Sequence, residues 1–305
     1  MAKEKTALHK RIESGKRILL AEISPPTGSD SSVVVATAKR YAGKVHALGI
    51  SDNRHGVCMS AFAAASLVAA QGVEPILHLV TRDRNRIALI ADCLGADALG
   101  IRNVFCTSGT HQTLGRCRAA RNVFDLDSVQ LIRAIAGLAE NGAIVGEERF
   151  DNAGPFCLGG VAAPYADPVE LQIMRLVKKV DAGIHFLISQ PVFDLEQFKI
   201  WWKEIVCLDL QKKVAVLAGI RVLGNVEQAK SFAAERPDPV VPESVLQRLA
   251  SKSSPGAQRA EGIAIALETI GELAGLDGVR GFEIDGAGDD EAALEVTAKS
   301  ALGVD

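Results

Sequence analysis

Two short segments place polar side chains where a site could be built. In Ala21-Glu22-Ile23-Ser24-Pro25-Pro26, a carboxyl stands at the end of the first apolar run. In Ser189-Gln190-Pro191-Val192-Phe193-Asp194, a neutral amide stands at the tip of another. The second run follows Lys178-Lys179-Val180-Asp181-Ala182-Gly183, which reads as a basic helix end and a tight turn. A carboxyl flanked by Ile23 and paired prolines is either a partly desolvated acid, able to give a proton, or one half of a salt bridge. An amide carries donors and an acceptor in one plane, which suits the edge of a flat, amide-bearing ring. Together they point to a site that donates one proton and reads a heterocycle.

Apolar runs suited to strands fall at 18–23, 46–51, 75–80, 98–106, 156–163, 184–189, 214–220 and 279–284. Helical periodicity fills 33–41, 59–71, 84–94, 128–140, 169–182, 195–206 and 226–234. A longer helical stretch covers 242–274, and a last helix starts at Asp290. This alternation predicts a single (β/α)8 barrel, a TIM barrel, over residues 1–305, with a helical insertion at about 237–275 before the last strand. An open doubly wound sheet would carry a glycine-rich phosphate turn after its first strand. Ser24-Pro25-Pro26 instead offers prolines, which lack N–H groups. In a barrel, chemistry gathers at the C-terminal ends of the strands. That rule selects Glu22, Asp52, His55, His78, Arg82, the Ser108-Gly109-Thr110-His111 turn, Pro164-Tyr165, Gln190, Phe193, Arg221 and Asp285.

Bulk properties narrow the function class. Lys and Arg total 34 against 37 Asp and Glu, a net charge of −3, which argues against a nucleic-acid-binding chain. No run reaches the ~18 apolar residues of a membrane span. The N-terminus lacks the apolar core of a signal peptide, so a cytoplasmic location is expected. The six cysteines form no Cys-x-x-Cys and no zinc spacing, and are expected to be reduced and mostly buried. No cluster of three metal ligands is visible, and no metal is expected.

Six segments in order resemble the methylenetetrahydrofolate reductase family: Ala21–Pro26, Leu77-His78-Leu79-Val80-Thr81-Arg82-Asp83, Cys106–His111, Gly160-Val161-Ala162-Ala163-Pro164, Lys178–Asp194, and Ala218-Gly219-Ile220 with Asn225–Lys230. The resemblance implies flavin-dependent reduction of 5,10-methylenetetrahydrofolate to 5-methyltetrahydrofolate, or the reverse, in one-carbon metabolism and methionine biosynthesis. FAD is the implied cofactor and NAD(P)H a possible electron donor. Glu22 takes the position of the family's general acid and Gln190 that of its pterin-binding amide; Phe193, Thr110 and Arg221 fall in the implied substrate site. His78, Ser108, Gly109, Thr110, His111, Ala163, Tyr165, Arg175, Lys178 and Lys179 fall in the implied flavin site.

The chain also departs from that pattern. Gly109-Thr110 stands where the family usually has Gly-Asp. Val226 replaces an aromatic residue, only Phe193 remains of an aromatic run, and Ala163-Pro164 replaces a tyrosine, with Tyr165 close by. Two other readings therefore stay open. One is a folate-binding subunit fed with electrons by an iron–sulfur or flavin partner; the other is a barrel that binds pterin or a methyl-transfer partner without reducing anything. A homo-oligomer is compatible with all three.

Overall fold

The structure is a computed structural model describing residues 3–143, 149–151, 153–234, 241–300 and 303. Eight parallel strands close in sequence order, β8 returning to β1. They are β1 (Ile18–Ile23), β2 (Ala47–Ile50), β3 (Pro75–Val80), β4 (Asn103–Thr107), β5 (Cys157–Ala162), β6 (Phe186–Pro191), β7 (Ala215–Arg221) and β8 (Val279–Asp285). Helices α2 (Ser31–Tyr41), α3 (Ala61–Ala69), α4 (Arg86–Ala98), α5 (Ser128–Asn141), α6 (Val169–Asp181) and α7 (Leu195–Cys207) follow the first six strands, and the short α8 (Leu210–Lys213) precedes β7. Beyond β7 come α9 (Val226–Ala234), α10 (Glu243–Ala250) and α11 (Pro255–Ala274), and α12 (Asp290–Lys299) follows β8.

The period-two alternation of a strand divides the apolar residues into two sets. One parity, with Leu19, Leu48, Leu77, Val104, Leu158, Leu187, Val216 and Phe282, packs outward in the main core with buried helix residues. The other fills the barrel interior with Ile18, Leu20, Ala47, Ile76, Phe105, Cys157, Phe186, Ile188, Ala215 and Leu217. Phe186 reaches so far across that a Cβ on Gly159 would lie 2.2 Å from its ring. The glycine in β5 is what leaves room for the aromatic floor of Phe186 and Phe105, whose ring centroids are 6.1 Å apart.

The strand starts are closed by α1 (Ala7–Glu13), a helix that the sequence patterns leave unmarked. Leu8 plugs the interior cluster, and Glu74, just before β3, accepts from the backbone N–H groups of Ala7 and Leu8. The other end stays open as the mouth. The fourth strand begins at Asn103 rather than near Ala98, because α4 runs on to Ala98. The long helix expected at 242–274 is two helices. Ser254 caps α11 by accepting from the Ala257 N–H, with Pro255 in its first turn. Of the insertion at 237–275, residues 237–240 lie outside the described set. Cys93, Cys106 and Cys157 are buried, Cys58 and Cys117 half-buried and Cys207 exposed, all as free thiols. No described helix is long and apolar enough to cross a membrane.

Candidate functional site

A cavity of about 350 Å³ opens at the strand C-termini. Phe105 floors it with His78 against its face, centroids 4.7 Å apart. Glu22, Asp52, His78, Arg82, Ser108, Gly109, Thr110, Gln190 and Asp285, all named by the strand-end rule, line this cavity, and so do Ala163, Arg175 and Lys179 from the implied flavin site. Phe193, Tyr165, Arg221, His111 and Lys178 are not among its walls.

Glu22 does not stand alone. Arg54, from the loop after β2, donates through Nη1 to Glu22 Oε1 at 2.6 Å and to Asp285 Oδ2 at 3.2 Å. The Glu22 side chain is 12% exposed and that of Arg54 23%. Of the two readings of this carboxyl, the contact present is the ion pair, made with Arg54. Burial works against the Arg54 charge, but Glu22, Asp285 and Glu283 hold its pKa above the usual guanidinium value.

Strand register explains the grouping. Glu22 pairs with Asp285 and with Gly49, and Leu20 pairs with Glu283. Glu283 and Asp285 share the inward parity of β8, while Phe282 and Ile284 face the helices. Burial, reinforced by Glu22 and Asp285, pushes the Glu283 carboxyl well above its usual range. Burial also opposes charge on Asp285, but Arg221 and Arg54 hold it below the usual carboxylate range. His78 is pushed down by burial and by Arg54, against the pull of Glu22, and so favours the neutral imidazole. Glu22, His78 and Glu283 each present an atom within 4.8 Å of the others. This corrects the expectation of no three-ligand cluster. The sequence reading took Glu283 as part of an apolar strand, whereas its parity with Asp285 was the available signal.

Gln190 is aimed by an irregularity. The β6–β7 register shifts between Ile188 and Pro191, and Ser189 Oγ accepts from the Gly219 N–H at 3.0 Å. Such a bulge re-aims side chains beside a site. Gln190 Oε1 is buried without a hydrogen-bond partner, an acceptor left free on the cavity wall.

On the same β5–β6 side, Arg175 lines the cavity from α6 with no ion-pair partner among the described residues. Lys179, one turn on, is buried and donates to the Val161 carbonyl at 2.5 Å. Burial and the nearby Arg175 push its pKa down to about 8. Ser108 Oγ accepts from the Ser128 N–H at the start of α5. Lys178 is exposed outside the cavity, and exposed His111 accepts from the Thr113 N–H.

Thr110 is at the rim, and its carbonyl accepts from Arg82 Nη1 at 2.9 Å. Arg82 also forks onto Asp83 and donates to the Asn53 carbonyl. It ties together the loops after β2, β3 and β4 and lies buried in that role.

Three candidates are drawn away from the cavity for one reason. Tyr165 and Phe193 are buried in a separate cluster with Phe232 of α9 and with Val245 and Leu249 of α10. The Tyr165 hydroxyl donates to the Asp194 carbonyl. Arg221 lies over the Phe232 ring at 4.4 Å and donates to Asp285 Oδ2 at 2.5 Å, so it braces Asp285 instead of facing the cavity. The helices after β7 supply the apolar surface that claims these side chains. Arg54 and Glu283 are the site residues that sequence reading missed. Arg54 sits in a loop, where no periodicity reports orientation.

Comparisons with known proteins bear on the fold and the family. A solved protein from Clostridium thermocellum, described as binding two copies of 5-methyl-5,6,7,8-tetrahydrofolic acid, superimposes with a TM-score of 0.71 at 14% identity, covering 96% of this chain and 98% of that one. An F420-dependent secondary alcohol dehydrogenase superimposes at 0.54 with 11% identity, covering 95% of this chain and 100% of that one. These likenesses are of fold. A Caenorhabditis elegans protein named as a probable methylenetetrahydrofolate reductase (NADPH) is 24% identical over 181 residues, 58% of this chain but only 25% of the relative's length. The family model for methylenetetrahydrofolate reductase matches residues 7–300, and the chain belongs to that family.

Proposed function

We propose that this chain interconverts 5,10-methylenetetrahydrofolate and 5-methyltetrahydrofolate with a flavin as redox cofactor. The observation that carries the reading is the unpartnered Gln190 Oε1 on the wall of a cavity that also holds Glu22. An acceptor buried without a partner is costly, and a pterin edge with N–H donors would satisfy it. The description of the Clostridium thermocellum protein as a 5-methyltetrahydrofolate binder supports the substrate class.

The donor set suits FAD. Arg175 and Lys179 bring cations to the β5–β6 side, where a pyrophosphate would be stabilised. Ser108, Gly109, Thr110, Ala163 and His78 would hold the ring. A bound reduced flavin supplies hydride. The protein's own part is to fix the pterin through Gln190, exclude water with the Phe105 floor, and move a proton through Glu22 to a ring nitrogen of the folate. The C–N bond of the five-membered ring then breaks with its electron pair staying on that nitrogen, leaving an iminium at N5 to accept hydride.

One observation favours a second reading, in which a protein partner supplies electrons. Tyr165 and Phe193 are packed beneath α9 and α10, and Phe105 is the one Phe, Tyr or Trp ring among the cavity's described walls. A nicotinamide would find no aromatic platform there. Anaerobic absorption spectra of FAD-loaded protein test both readings. Bleaching by 5-methyltetrahydrofolate supports the proposal, and a lack of bleaching by NADH and NADPH favours the partner. Failure to bind FAD and folate refutes both.

A further inference from the structure

We propose that Glu283 holds the transferable proton of this site, sharing it with Glu22 on the neighbouring strand, so that Glu22 acts as the relay rather than the store. As a proton-delivery role it rests on the reductase reading; as a statement of where the proton sits it does not.

The geometry assigns the proton by charge and by contact. Around Glu283 stand Glu22 on β1, Asp285 on its own strand, His78 on β3, Arg54 from the loop after β2, and Arg221 on β7. Two guanidiniums face three carboxyls, and one proton makes the group neutral. Asp285 is bonded by both guanidiniums and by the Ala287 N–H. Glu22 is bonded by Arg54. Glu283 Oε1 has no hydrogen-bond partner and lies fully buried. A carboxylate left so would forfeit its solvation with no donor in return. The proton therefore belongs on Glu283, and the pKa direction agrees.

Two features keep the proton mobile. Glu22, His78 and Glu283 present atoms within 4.8 Å of one another, and neither Glu283 Oε1 nor His78 Nε2 is held in a hydrogen bond, so small motions suffice for a relay. Gly49 leaves the space in which they meet: a Cβ there would lie 3.0 Å from His78 Nε2 and 3.5 Å from Glu283 Oε1. His78 Nε2 is also buried without a partner. A divalent cation could span the same three residues, but Arg54 already places a fixed positive charge 2.6 Å from Glu22 Oε1.

In the reaction, the Glu283 proton passes to Glu22, which delivers it to the folate nitrogen as the C–N bond breaks and returns to its carboxylate paired with Arg54. Glu283 is left as the carboxylate until solvent returns a proton. No electrons move in this exchange.

Infrared spectroscopy of the FAD-loaded protein at about pH 7, where ordinary carboxyls are ionised, reads the proton directly. A protonated-carboxyl band is expected in wild type, absent in Glu283→Gln and retained in Glu22→Gln. In Glu22→Gln the band should be lost on titration at a higher degree of acidity than in wild type, because a like charge has gone. Gly49→Ala, pressing on Glu283 Oε1, should shift the band and serves as the test if Glu283→Gln fails to fold. Turnover of methylenetetrahydrofolate in Glu283→Gln should fall by ~10²-fold, the size of a positioned proton-transfer contribution, with folate affinity retained and the alkaline limb of the pH profile moved to lower pH. A band lost in Glu22→Gln but kept in Glu283→Gln overturns the proposal, as does a stoichiometric metal ion removed by Glu283→Gln. If wild type does not turn over folate while the band still follows Glu283, the reductase reading falls and the proton assignment stands.

Discussion

Replacing Glu283 by Gln should change the pH dependence of stability in a calculable way. The folded-state carboxyl is raised by burial and by Glu22 and Asp285, against the weaker pull of Arg54. In the unfolded chain a Glu titrates near ~4.3. Between those two values the folded state binds one proton more than the unfolded state, so stability falls as pH rises. The slope is about 1.4 kcal/mol per pH unit for one proton. Gln is nearly isosteric with the protonated acid and does not titrate. The two proteins should therefore be close in stability below about pH 4, with the variant gaining about 2.8 kcal/mol relative to wild type over any two pH units above the unfolded value in which the folded carboxyl stays protonated. Titrating groups remote from Glu283 cancel in the difference. His78 and His185, both lowered by burial, act through their unfolded value near ~6.5 and below. Lys179, lowered to about 8 by burial, acts from there upward. Urea denaturation of both proteins from pH 5 to pH 8 measures the difference. Parallel curves, or a variant that loses stability as pH rises, would show that Glu283 is ionised in the fold and that its buried pairing has been misassigned.

Glu22→Gln should leave flavin content intact and slow folate reduction by ~10²-fold; an unchanged rate in stopped-flow assays removes Glu22 from proton transfer. Gln190→Ala should weaken folate binding by ~1–3 kcal/mol without loss of flavin, as read by calorimetry. Arg54→Met, which strips the partner from a mostly buried carboxylate pair, should cost about 3 kcal/mol in chemical denaturation, and a change below ~0.5 kcal/mol would mean the pair is effectively solvated. Thr110→Asp should lower the flavin midpoint potential, at roughly 30 mV for each ~1.4 kcal/mol of like-charge repulsion on the reduced form; redox titration giving an equal or higher potential would place residue 110 away from the flavin.

The strands were legible because a parallel barrel buries both faces, so each reads as a continuous apolar run. The 18–23, 75–80 and 226–234 elements coincide with β1, β3 and α9. The ends were less legible where helix and strand propensities overlap, as at Ala98, and α1 offered too short a pattern with Leu8 as its single buried apolar residue. The strand-end rule brought nine named candidates to the cavity wall because it depends only on strand direction. It failed for Tyr165, Phe193 and Arg221 because a strand end supplies a position, and the neighbouring helices decide which way a side chain turns. Phe232, packed against both Phe193 and Arg221, is the local cause. Nothing in the sequence at 165, 193 or 221 reports that contact.

The same contact links two features of this site. By drawing Arg221 over its ring, Phe232 sets a guanidinium against Asp285, and Asp285 in turn shares Arg54 with Glu22. By drawing Phe193 into the same cluster, it leaves Phe105 as the one Phe, Tyr or Trp ring among the cavity's described walls. Apolar packing outside the cavity thus bears both on the absence of the Phe193 ring from its wall and on the bracing of Asp285. Phe232→Ala should therefore do more than open a hole costing ~3–5 kcal/mol. It should free Arg221 from its stacking position and loosen Asp285, so that Arg54 is shared less evenly with Glu22. If the infrared band of Glu283 is unmoved in that variant while stability falls by the full amount, Phe232 is a packing residue alone and the charge network is fixed by the strands themselves.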